Sequence, residues 1–468
     1  MQPVALHDLI AALDAETVGI ADGAIQFERV EVDSRRVRSG DIFWAIVGDR
    51  DDGHRYIAEA LSKGAIACVV EHDRCDTSSG RLLIVDDTVL ALWDFAEWYR
   101  QQFDTLVVGV TGTVGKTTTR HMLQNVLSAR YNGIESPENF NNYLGVPLSV
   151  LQLDRHHEFA ALELAASHVG EIEDLAGIAQ PEIGVITNIS PVHLDEFGTI
   201  EAIMQAKGEL LEALPESGFA ILNGDNQLVR QLAERASCPV IFVGEQSHND
   251  VVAQWVRVEN GWLRFCVDSV QFDVPAVGRH HITSAIAAVA LGRQVDLTDE
   301  EIAAGLRMFE PVPGRCELRH IGPWTVINDT YNASPASMQA ACQTLHDWQT
   351  EHKKILVAGD MLALGSASAQ YHRELGQIVA ACDVDQLIAV GSEAASLAGS
   401  ARMSGMDAGS LGACDNLSIA ELLLDCWLQP GDVLLVKGSR DMHMERVLTY
   451  LEQRAAQVRA IPSESKAA

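Results

Sequence analysis

The sequence is poor in positive charge. Its 34 lysine and arginine residues face 65 aspartate and glutamate residues, which gives a net charge of −31 at pH 7. Nucleic acids and anionic membranes select basic patches, so we expect neither as a partner. A mononucleotide stays compatible with this balance, because a few backbone N–H groups, one lysine and a metal ion are enough to hold it.

Paired cysteines and long apolar runs are also missing. The nine cysteines form no C-x-x-C pair and their number is odd, so we expect buried thiols in a reducing compartment, and neither a disulfide scaffold nor a zinc site. No uncharged apolar run approaches the roughly 18 residues of a membrane helix. The opening MQPVALHDLI has no basic segment followed by an apolar core, so no signal peptide is predicted. A cytoplasmic protein is expected.

The chain is too long for one ordinary core, and three regions differ in their pattern. Residues 1–103 contain short strand-like runs and a closing helical stretch, Leu90–Phe103. In residues 104–312, and again in 313–468, apolar strands alternate with amphipathic helices, which predicts parallel sheets covered on both faces. The predicted strands of the last two regions include Thr105–Val110, Phe159–Leu164, Ile183–Asn188, Trp324–Asp329, Lys354–Asp360, Gln386–Val390 and Asp432–Gly438.

The most specific local pattern is VTGTVGKTT, in which a buried strand leads through a glycine-rich turn into a helix. Successive backbone N–H groups of such a turn cradle phosphate oxygens. Lys116 would reach the β- and γ-phosphates, and the Thr117 hydroxyl would bind Mg²⁺. Val110 occupies the first glycine position of the strict G-x-x-x-x-G-K-[ST] pattern, so an ordinary strand-to-helix turn is the alternative. The predicted nucleotide-binding residues here are Thr111, Gly112, Thr113, Val114, Gly115, Lys116, Thr117 and Thr118.

Three further polar residues attract attention by their position. Glu163 ends a predicted strand, and a carboxylate at a strand tip beside a phosphate loop suits Mg²⁺, although a solvated strand end is the alternative. His193 follows a strand at the same sheet edge, which favours a functional role. A structural role is the alternative, because a lone histidine is more often structural. Lys207, taken by itself, is best interpreted as a solvated helix residue whose ammonium would repel Mg²⁺.

The form T-G-T-x-G-K-T-T resembles the ATP loop of the Mur ligases and of folylpolyglutamate synthase, and further motifs follow in the Mur ligase order along nearly the whole chain. ELAASHVGEI, Glu163–Ile172, is similar to the family pattern E-L-G-A-x-H-x-G-E-I. The resemblance implies that Glu163 and His193 lie at the metal and the γ-phosphate. It also implies that CO₂ carbamylates Lys207, which turns its cation into a carboxylate that orients the metal or the phosphate.

The fold implied by this resemblance is α/β with three domains. A small uridine-nucleotide domain would occupy residues 1–103, a central P-loop ATPase domain with a mainly parallel sheet residues 104–312, and a Rossmann-like domain residues 313–468.

Two segments resemble the family's substrate-binding parts. PENFNNYLGVP is similar to G-N-x-N-N-x-x-G-x-P, which implies contacts of Asn139, Asn141 and Asn142 with the muramoyl peptide; a turn and helix cap is the alternative. DSRRVRSGDIFWAIVG and DDGHRYIAEALSKGA resemble the uridine-nucleotide domain, and without that resemblance they are exposed loops with no assigned role. Their candidate residues are Ser34, Arg35, Asp52, Gly53 and His54.

NDTYNASPASM, Asn328–Met338, is the most discriminating run. It resembles D-D-[ST]-Y-N-A-N-P-x-S-M of the family branch that adds D-alanyl-D-alanine. The resemblance implies that Arg315 reaches the ATP phosphates and that Asp329 holds the ribose hydroxyls; a solvated arginine is the alternative for Arg315. The remaining candidates for substrate binding are Tyr331, Asn332, Lys437, Ser439 and Arg440. Core packing or helix capping is the alternative role for these residues.

The chain departs from the family pattern at two places. In GRHHITSAIAA, His280 matches, but His281 and Ser284 replace two asparagines on the adenine-facing side. Ala363 replaces the glutamate of G-D-M-x-E-L-G. His280 and Ser284 stay candidates for nucleotide binding, and the handling of adenine and of the second substrate is open at these positions.

We therefore predict a monomeric ATP- and Mg²⁺-dependent ligase that joins D-alanyl-D-alanine to UDP-MurNAc-tripeptide through an acyl phosphate, in peptidoglycan precursor synthesis. Another Mur-type amino-acid or folylpolyglutamate ligase is one alternative. A catalytically inactive nucleotide-binding relative, suggested by the departures above, is another.

Overall fold

The computed structural model describes residues 1–48, 51–74, 80–137, 139–192, 194–259 and 261–460. Over these ranges the chain is α/β throughout, which confirms the predicted class. No helix within them combines the length and the apolar composition needed to cross a bilayer. The cysteines within them are free thiols, mostly buried as expected, although Cys426 is exposed.

The N-terminal part is built on a mostly parallel sheet. Its elements are β1 (Val4–Ala5), α1 (Leu6–Leu13), β2 (Glu16–Val18), β3 (Gln26–Phe27), β4 (Val30–Glu31), β5 (Ile42–Trp44), α2 (Ile57–Ser62), β6 (Ala67–Glu71), β7 (Leu82–Val85) and α3 (Thr88–Arg100). The sheet order is β2-β7-β6-β5-β4, with β2 antiparallel to β7 and the other neighbours parallel. Strands β1 and β3 form a separate antiparallel pair.

Helix α3 joins the N-terminal part to the central part. It begins two residues before the predicted start, because the Asp87 carboxylate accepts hydrogen bonds from Val89 N and Leu90 N and caps the helix. At its other end the Tyr99 hydroxyl donates to Leu153 O at 2.7 Å. The Arg100 guanidinium donates to the carbonyls of Ala179 and Thr105 at 3.0 and 2.9 Å. The two parts therefore share one continuous apolar core.

The central part carries a parallel sheet in the order β14-β13-β12-β11-β8-β10-β9. Its elements are β8 (Leu106–Thr111), α4 (Lys116–Leu127), β9 (Gly133–Glu135), α5 (Gly145–Val150), β10 (Phe159–Glu163), α6 (Glu171–Ala179), β11 (Ile183–Ile186), α7 (Leu194–Phe197), α8 (Ile200–Glu212), β12 (Phe219–Asn223), α9 (Gln227–Gln231), β13 (Val240–Gly244) and β14 (Val251–Val252). Strand β8 lies between β10 and β11, so the residues that follow these three strands meet at one edge.

An antiparallel sheet follows in the chain, and the sequence patterns did not predict it. It consists of β15 (Gln254–Glu259), β16 (Trp262–Val267) and β17 (Val270–Val274), joined in that order. One face packs against α10 (Ile282–Gln294) and α11 (Asp299–Arg307), which cover the central sheet.

The C-terminal part has the sheet order β18-β19-β23-β20-β21-β22. Its elements are β18 (Glu317–Ile321), β19 (Trp324–Asp329), α12 (Pro335–Asp347), β20 (Lys354–Gly359), α13 (Ser368–Ala381), β21 (Gln386–Val390), α14 (Ala394–Met403), β22 (Leu411–Cys414), α15 (Leu417–Trp427), β23 (Val433–Lys437) and α16 (Glu445–Ala460). Only β18 pairs antiparallel among these described strands. Apolar clusters on both faces of the sheet agree with the predicted Rossmann-like arrangement.

Candidate active site

A cleft of about 1250 Å³ separates the carboxyl edge of the central sheet from that of the C-terminal sheet. Residues that follow β8, β10 and β11 line one wall, and residues that follow β19 and β23 line the other. The sequence-predicted residues brought together in this lining are Gly112, Thr113, Val114, Gly115, Lys116, Thr117, Thr118, Asn141, Asn142, Glu163, Lys207, His280, Ser284, Arg315, Asp329, Tyr331, Asn332, Lys437, Ser439 and Arg440.

The phosphate-loop sequence forms a tight turn between β8 and α4. Gly112 has φ +141°, and a Cβ there would lie 2.2 Å from Thr187 Oγ1. Gly115 has φ +88° and caps α4. Both positions therefore require glycine, one for conformation and close approach and the other for conformation. Thr111 lies behind the turn, where its hydroxyl donates to Leu164 O at 2.7 Å.

Lys116 folds back over this turn. Its Nζ donates to Gly112 O at 2.9 Å. Desolvation lowers the pKa of the ammonium group, and the charge of Glu163 partly opposes this effect. An anion in the turn would relieve the cost of burying the lysine, so the geometry suits a phosphate.

Glu163 connects the phosphate loop with the Asn-rich segment. Its Oε2 accepts a hydrogen bond from Thr117 Oγ1 at 2.7 Å, and its Oε1 accepts one from Asn141 Nδ2 at 2.8 Å. The carboxylate is almost fully buried. A hydroxyl and a carboxylate side by side beside a phosphate site are the hard oxygen donors that Mg²⁺ prefers, so these residues fit the metal.

Lys207 on α8 is buried, although the pattern by itself favoured a solvated residue. Its Nζ donates to Ala166 O at 3.2 Å and lies 5.3 Å from the centre of the Phe197 ring. Desolvation, and then the charge of Lys116, lower the pKa of Lys207 to about 7. A substantial fraction of this amine is therefore uncharged at neutral pH. His193, which we expected beside it, lies outside the described residues.

The C-terminal wall contains a paired cation and anion. Lys437 Nζ lies 2.6 Å from Asp329 Oδ2 and donates to Asn332 O at 2.8 Å. The other carboxylate oxygen of Asp329 accepts from Cys316 N at 3.2 Å. Asp329 is thus held rigidly at the end of β19.

Two arginines of the same wall flank one aromatic ring. The Arg315 guanidinium carbon lies 3.9 Å from the centre of the Tyr331 ring, and that of Arg440 lies 5.5 Å from it. Ser439 is buried, and its Oγ accepts from Leu362 N at 2.8 Å. The wall therefore presents guanidinium groups suited to anions, whereas Ser439 supports a loop.

The two replaced asparagine positions have distinct surroundings. Ser284 is buried, and its hydroxyl lies 2.8 Å from that of Thr119 on α4, so it joins two helices. His281 is buried, and its ring contacts that of His280 in a tilted arrangement, with 4.2 Å between the centroids. The Nε2 of His280 lies 3.7 Å from Cys316 Sγ.

The five N-terminal candidates lie outside the lining of this cleft. The Ser34 hydroxyl donates to Glu59 Oε2 at 3.2 Å, and the Arg35 side-chain hydrogen bond holds the pKa of Asp33 at about 2. His54 is buried with Nδ1 2.7 Å from Asp52 Oδ1, and its Nε2 accepts from Glu71 N at 2.9 Å. Both ring nitrogens of His54 are therefore used inside the protein. A Cβ at Gly53 would lie 2.8 Å from Ile46 N.

The Asn-rich segment divides its roles. Asn141 faces Glu163, as described above. Asn142 Oδ1 accepts from Gly145 N at 2.9 Å and so caps the turn before α5. Asn139 is exposed, lies outside the cleft lining, and contributes its backbone carbonyl to Asn141 N at 2.8 Å.

Sequence reasoning missed two residues that hold the phosphate loop. Thr187 Oγ1 donates to Val114 O at 2.6 Å, and Thr113 N donates to Asn188 O at 2.9 Å. Both follow β11 at the edge where the loop lies. Their position after a strand next to β8 was a signal that could have identified them.

Comparison with known protein families finds two matches. The Mur ligase middle domain matches residues 110–292, and the Mur ligase glutamate ligase domain matches residues 314–440.

Relatives and solved structures match over most of the chain. A UDP-N-acetylmuramoyl-tripeptide–D-alanyl-D-alanine ligase of Bacillus subtilis is 34% identical over 430 residues, covering 90% of this chain and 92% of the relative. A crystal structure of MurF from Acinetobacter baumannii superposes with a TM-score of 0.89 at 31% identity, covering 97% and 99% of the two chains. The MurF ligase of Thermotoga maritima in complex with ADP has a TM-score of 0.80 at 30% identity, with coverage of 92% and 98%.

Proposed function

Because the chain belongs to the Mur ligase family of ATP-dependent ligases, we propose that it joins D-alanyl-D-alanine to UDP-N-acetylmuramoyl-tripeptide. The products are the pentapeptide precursor of peptidoglycan, ADP and phosphate. We place this reaction in the cytoplasm and assign it to a monomer. The observation that carries the proposal is the cleft in which Lys116, Thr117 and Glu163 face Arg315 and the C-terminal wall.

The first chemical step is phosphoryl transfer. The tripeptide carboxylate attacks the γ-phosphorus of ATP, the bond to the bridging oxygen breaks, and ADP leaves. Lys116 lies in the phosphate turn and neutralises charge that develops on the transferred group, and Arg315 approaches from the opposite wall. The chain contributes mainly position and charge, which are what this reaction needs.

The second step forms the amide. The amine of D-alanyl-D-alanine attacks the carbonyl carbon of the acyl phosphate, and the tetrahedral intermediate loses phosphate while the nitrogen gives up its proton to solvent. Water would hydrolyse the acyl phosphate, so a cleft lined on both sides by protein supports the proposal. On the C-terminal wall, we assign binding of the dipeptide to Arg440 and to Asn332.

The metal in this proposal is Mg²⁺, held by Thr117 and Glu163. When bound, it would withdraw negative charge from the phosphate oxygens. The Thr117–Glu163 hydrogen bond already holds both ligands at the phosphate turn.

We assign a carbamate to Lys207. Its uncharged amine adds to CO₂, a C–N bond forms, and one proton is released, leaving an anionic carboxylate on the side chain. Burial and a pKa near 7 support this reaction, since only the unprotonated amine is nucleophilic. The charge of Lys116, which disfavours the ammonium form, favours the carbamate anion.

The uridine nucleotide is assigned to the N-terminal part, through the loops that contain Ser34, Arg35 and Asp52. Arg35 is exposed there, where its guanidinium pairs with Asp33 at 2.7 Å. The internal hydrogen bonds of His54 support a role for this residue in shaping the loop.

The direct test combines the full chain with ATP, Mg²⁺, UDP-MurNAc-tripeptide and D-alanyl-D-alanine, followed by mass spectrometry of the products. The expected result is a pentapeptide product together with one ADP per amide formed. Lys116→Ala should lower the rate by about 10²- to 10³-fold, the loss typical of one preorganised charge-stabilising group. Lys353→Ala is the matched control, because Lys353 is an exposed lysine outside the cleft.

Product formed equally with other amines would contradict the assignment of the dipeptide. ADP released at the same rate without the tripeptide or the dipeptide would contradict ligation altogether.

A further inference from the structure

Two histidines and a cysteine, to which the proposed reaction gives no chemical step, converge inside the cleft. One ligand atom from each of His280, His281 and Cys316 can be chosen so that all lie within 4.8 Å of one another. His281 and Cys316 are buried, and His280 is exposed toward the cleft. The histidines lie in a 3₁₀ turn before α10, whereas the cysteine lies before β18.

One of the three separations is close to that in a tetrahedral metal site. Bonds of about 2.0 Å to nitrogen and about 2.3 Å to sulfur place two such ligands roughly 3.5 Å apart. The observed distance from Cys316 Sγ to His280 Nε2 is 3.7 Å. The other two pairs lie within 4.8 Å, so side-chain shifts of about 1 Å bring all three atoms to one ion, and a position on the cleft side stays open for water.

The donor set selects the kind of ion. Imidazole and thiolate favour Zn²⁺ and similar thiophilic cations, whereas Mg²⁺ prefers oxygen ligands. Histidine binds such an ion through a neutral ring and cysteine through a thiolate. Burial lowers the pKa of His281 well below its usual value.

The charges around the cluster are mixed. Lys437 and Arg315 are cationic neighbours that oppose a metal ion. Lys437 is neutralised by its ion pair with Asp329, and that carboxylate also accepts a hydrogen bond from Cys316 N. Burial raises the pKa of the Cys316 thiol, so the incoming ion must displace a proton.

We propose that His280, His281 and Cys316 bind one thiophilic divalent cation of the Zn²⁺ class, and that this cation and the adenine nucleotide exclude each other. As the sulfur–metal bond forms, the thiol proton passes to the buffer. Exclusion follows from location, because Ser284, one helical turn after His281, lies only 4.0 Å from the Cβ position of Gly115 in the phosphate loop. Asp329, assigned to the ribose, contacts Cys316 directly.

Cobalt provides a spectroscopic test of the site. Metal-free full-length protein is titrated with Co²⁺, and the thiolate-to-cobalt charge-transfer absorption is recorded in the near ultraviolet. We expect one equivalent to bind with this band, and Zn²⁺ to remove the band by displacement. Cys316→Ser should abolish the band. His281→Asn should weaken metal binding by at least about tenfold, because replacing even a residue that only hydrogen-bonds to a metal ligand typically causes a loss of this size.

The matched control is Cys426→Ser, because Cys426 is an exposed thiol remote from the cleft lining. This variant should keep the full cobalt band. Thermal unfolding of each variant shows whether it is folded, and His281→Asn serves as the test if Cys316→Ser does not fold. No thiolate band in the parent protein, or a band lost in Cys426→Ser and kept in Cys316→Ser, would overturn the site.

Competition is measured with a fluorescent ADP analogue in excess Mg²⁺. At free Zn²⁺ about tenfold above its own Kd, exclusion should raise the apparent Kd of the analogue about tenfold in the parent protein, and far less in Cys316→Ser. Chelation of Zn²⁺ by the nucleotide is the same for both proteins, so their difference reports the site. An equal response in the two proteins would overturn the exclusion. This test does not depend on ligase turnover, so its outcome is independent of the proposed reaction.

Discussion

Lys437 and Asp329 occupy paired positions on the parallel strands β23 and β19, and their side chains form a buried ion pair of 2.6 Å. Lys437 is 4% exposed and Asp329 12% exposed in their side chains. Because the pair lies at the end of two neighbouring strands, it holds both segments that line the C-terminal wall.

Breaking this pair from one side should destabilise the fold. Lys437→Met leaves a buried carboxylate without its cation, and we expect a loss of about 3–5 kcal/mol in the free energy of unfolding. Urea denaturation measures it. Adding Asp329→Asn to Lys437→Met should recover part of the loss, since no charge is then left unpaired. A single variant within about 1 kcal/mol of the parent protein would show that the pair is solvated.

Alanine should impair nucleotide binding at Gly112 but not at Gly399. Gly112→Ala places a methyl group against Thr187 Oγ1 in a backbone conformation that alanine disfavours. Strain of about 1–3 kcal/mol corresponds to a rise of about 5- to 150-fold in the Kd of an ADP analogue. Gly399, inside α14, has open space at its Cβ position. Gly399→Ala should leave the Kd unchanged and stabilise the helix by about 0.4–1 kcal/mol.

Activity should depend on dissolved CO₂ through Lys207. Below its pKa of about 7 the amine is protonated and does not react with CO₂, so more bicarbonate is needed for half-maximal rate at about pH 6 than at about pH 8. Lys207→Ala should lose most activity and the CO₂ dependence, and acetate or propionate should restore part of the rate. A parent rate that is insensitive to CO₂ removal at either pH would argue against the carbamate.

Replacing Lys207, which should lower activity, should raise the free energy of unfolding. The folded pKa of Lys207, about 7, lies below the ordinary 10.5, so the folded state binds fewer protons than the unfolded state between these values. The free-energy cost of burying the Lys207 ammonium in the folded state is therefore full below pH 7, and it disappears as the pH rises toward 10.5. In CO₂-free buffer, Lys207→Met should stabilise the fold by up to about 4 kcal/mol near neutral pH. Denaturation at about pH 10 should show a much smaller gain. An equal gain at both pH values would show that the ammonium is solvated.

Much of the fold was predictable because buried parallel strands leave continuous apolar runs. Trp324–Asp329 and Gln386–Val390 were predicted with their observed bounds, and α4 begins at Lys116 as expected. The antiparallel sheet of β15–β17 was missed because its strands lack the continuous apolar runs of buried parallel strands, as in β16, whose residues alternate between half-buried and buried.

The site was predictable where its residues lie within one motif. Lys116 and Thr117 follow a strand and begin a helix, and this local order determines their position. Lys207 was harder, because only its tertiary neighbours bury it and lower its pKa. The histidine–cysteine cluster gave no sequence signal, since its members approach each other only where the 3₁₀ turn before α10 contacts the start of the C-terminal part.

Helix α3 sets which parts of this enzyme can move. On this helix, Tyr99 and Arg100 donate hydrogen bonds to three carbonyls of the central part, so the N-terminal and central parts move together. Residues 310–316, which link them to the C-terminal sheet, contain no helix or strand. Under the proposed function, the nucleotide sugar and ATP would bind to one rigid unit made of the N-terminal and central parts. The C-terminal part would move relative to this unit and bring the dipeptide to it.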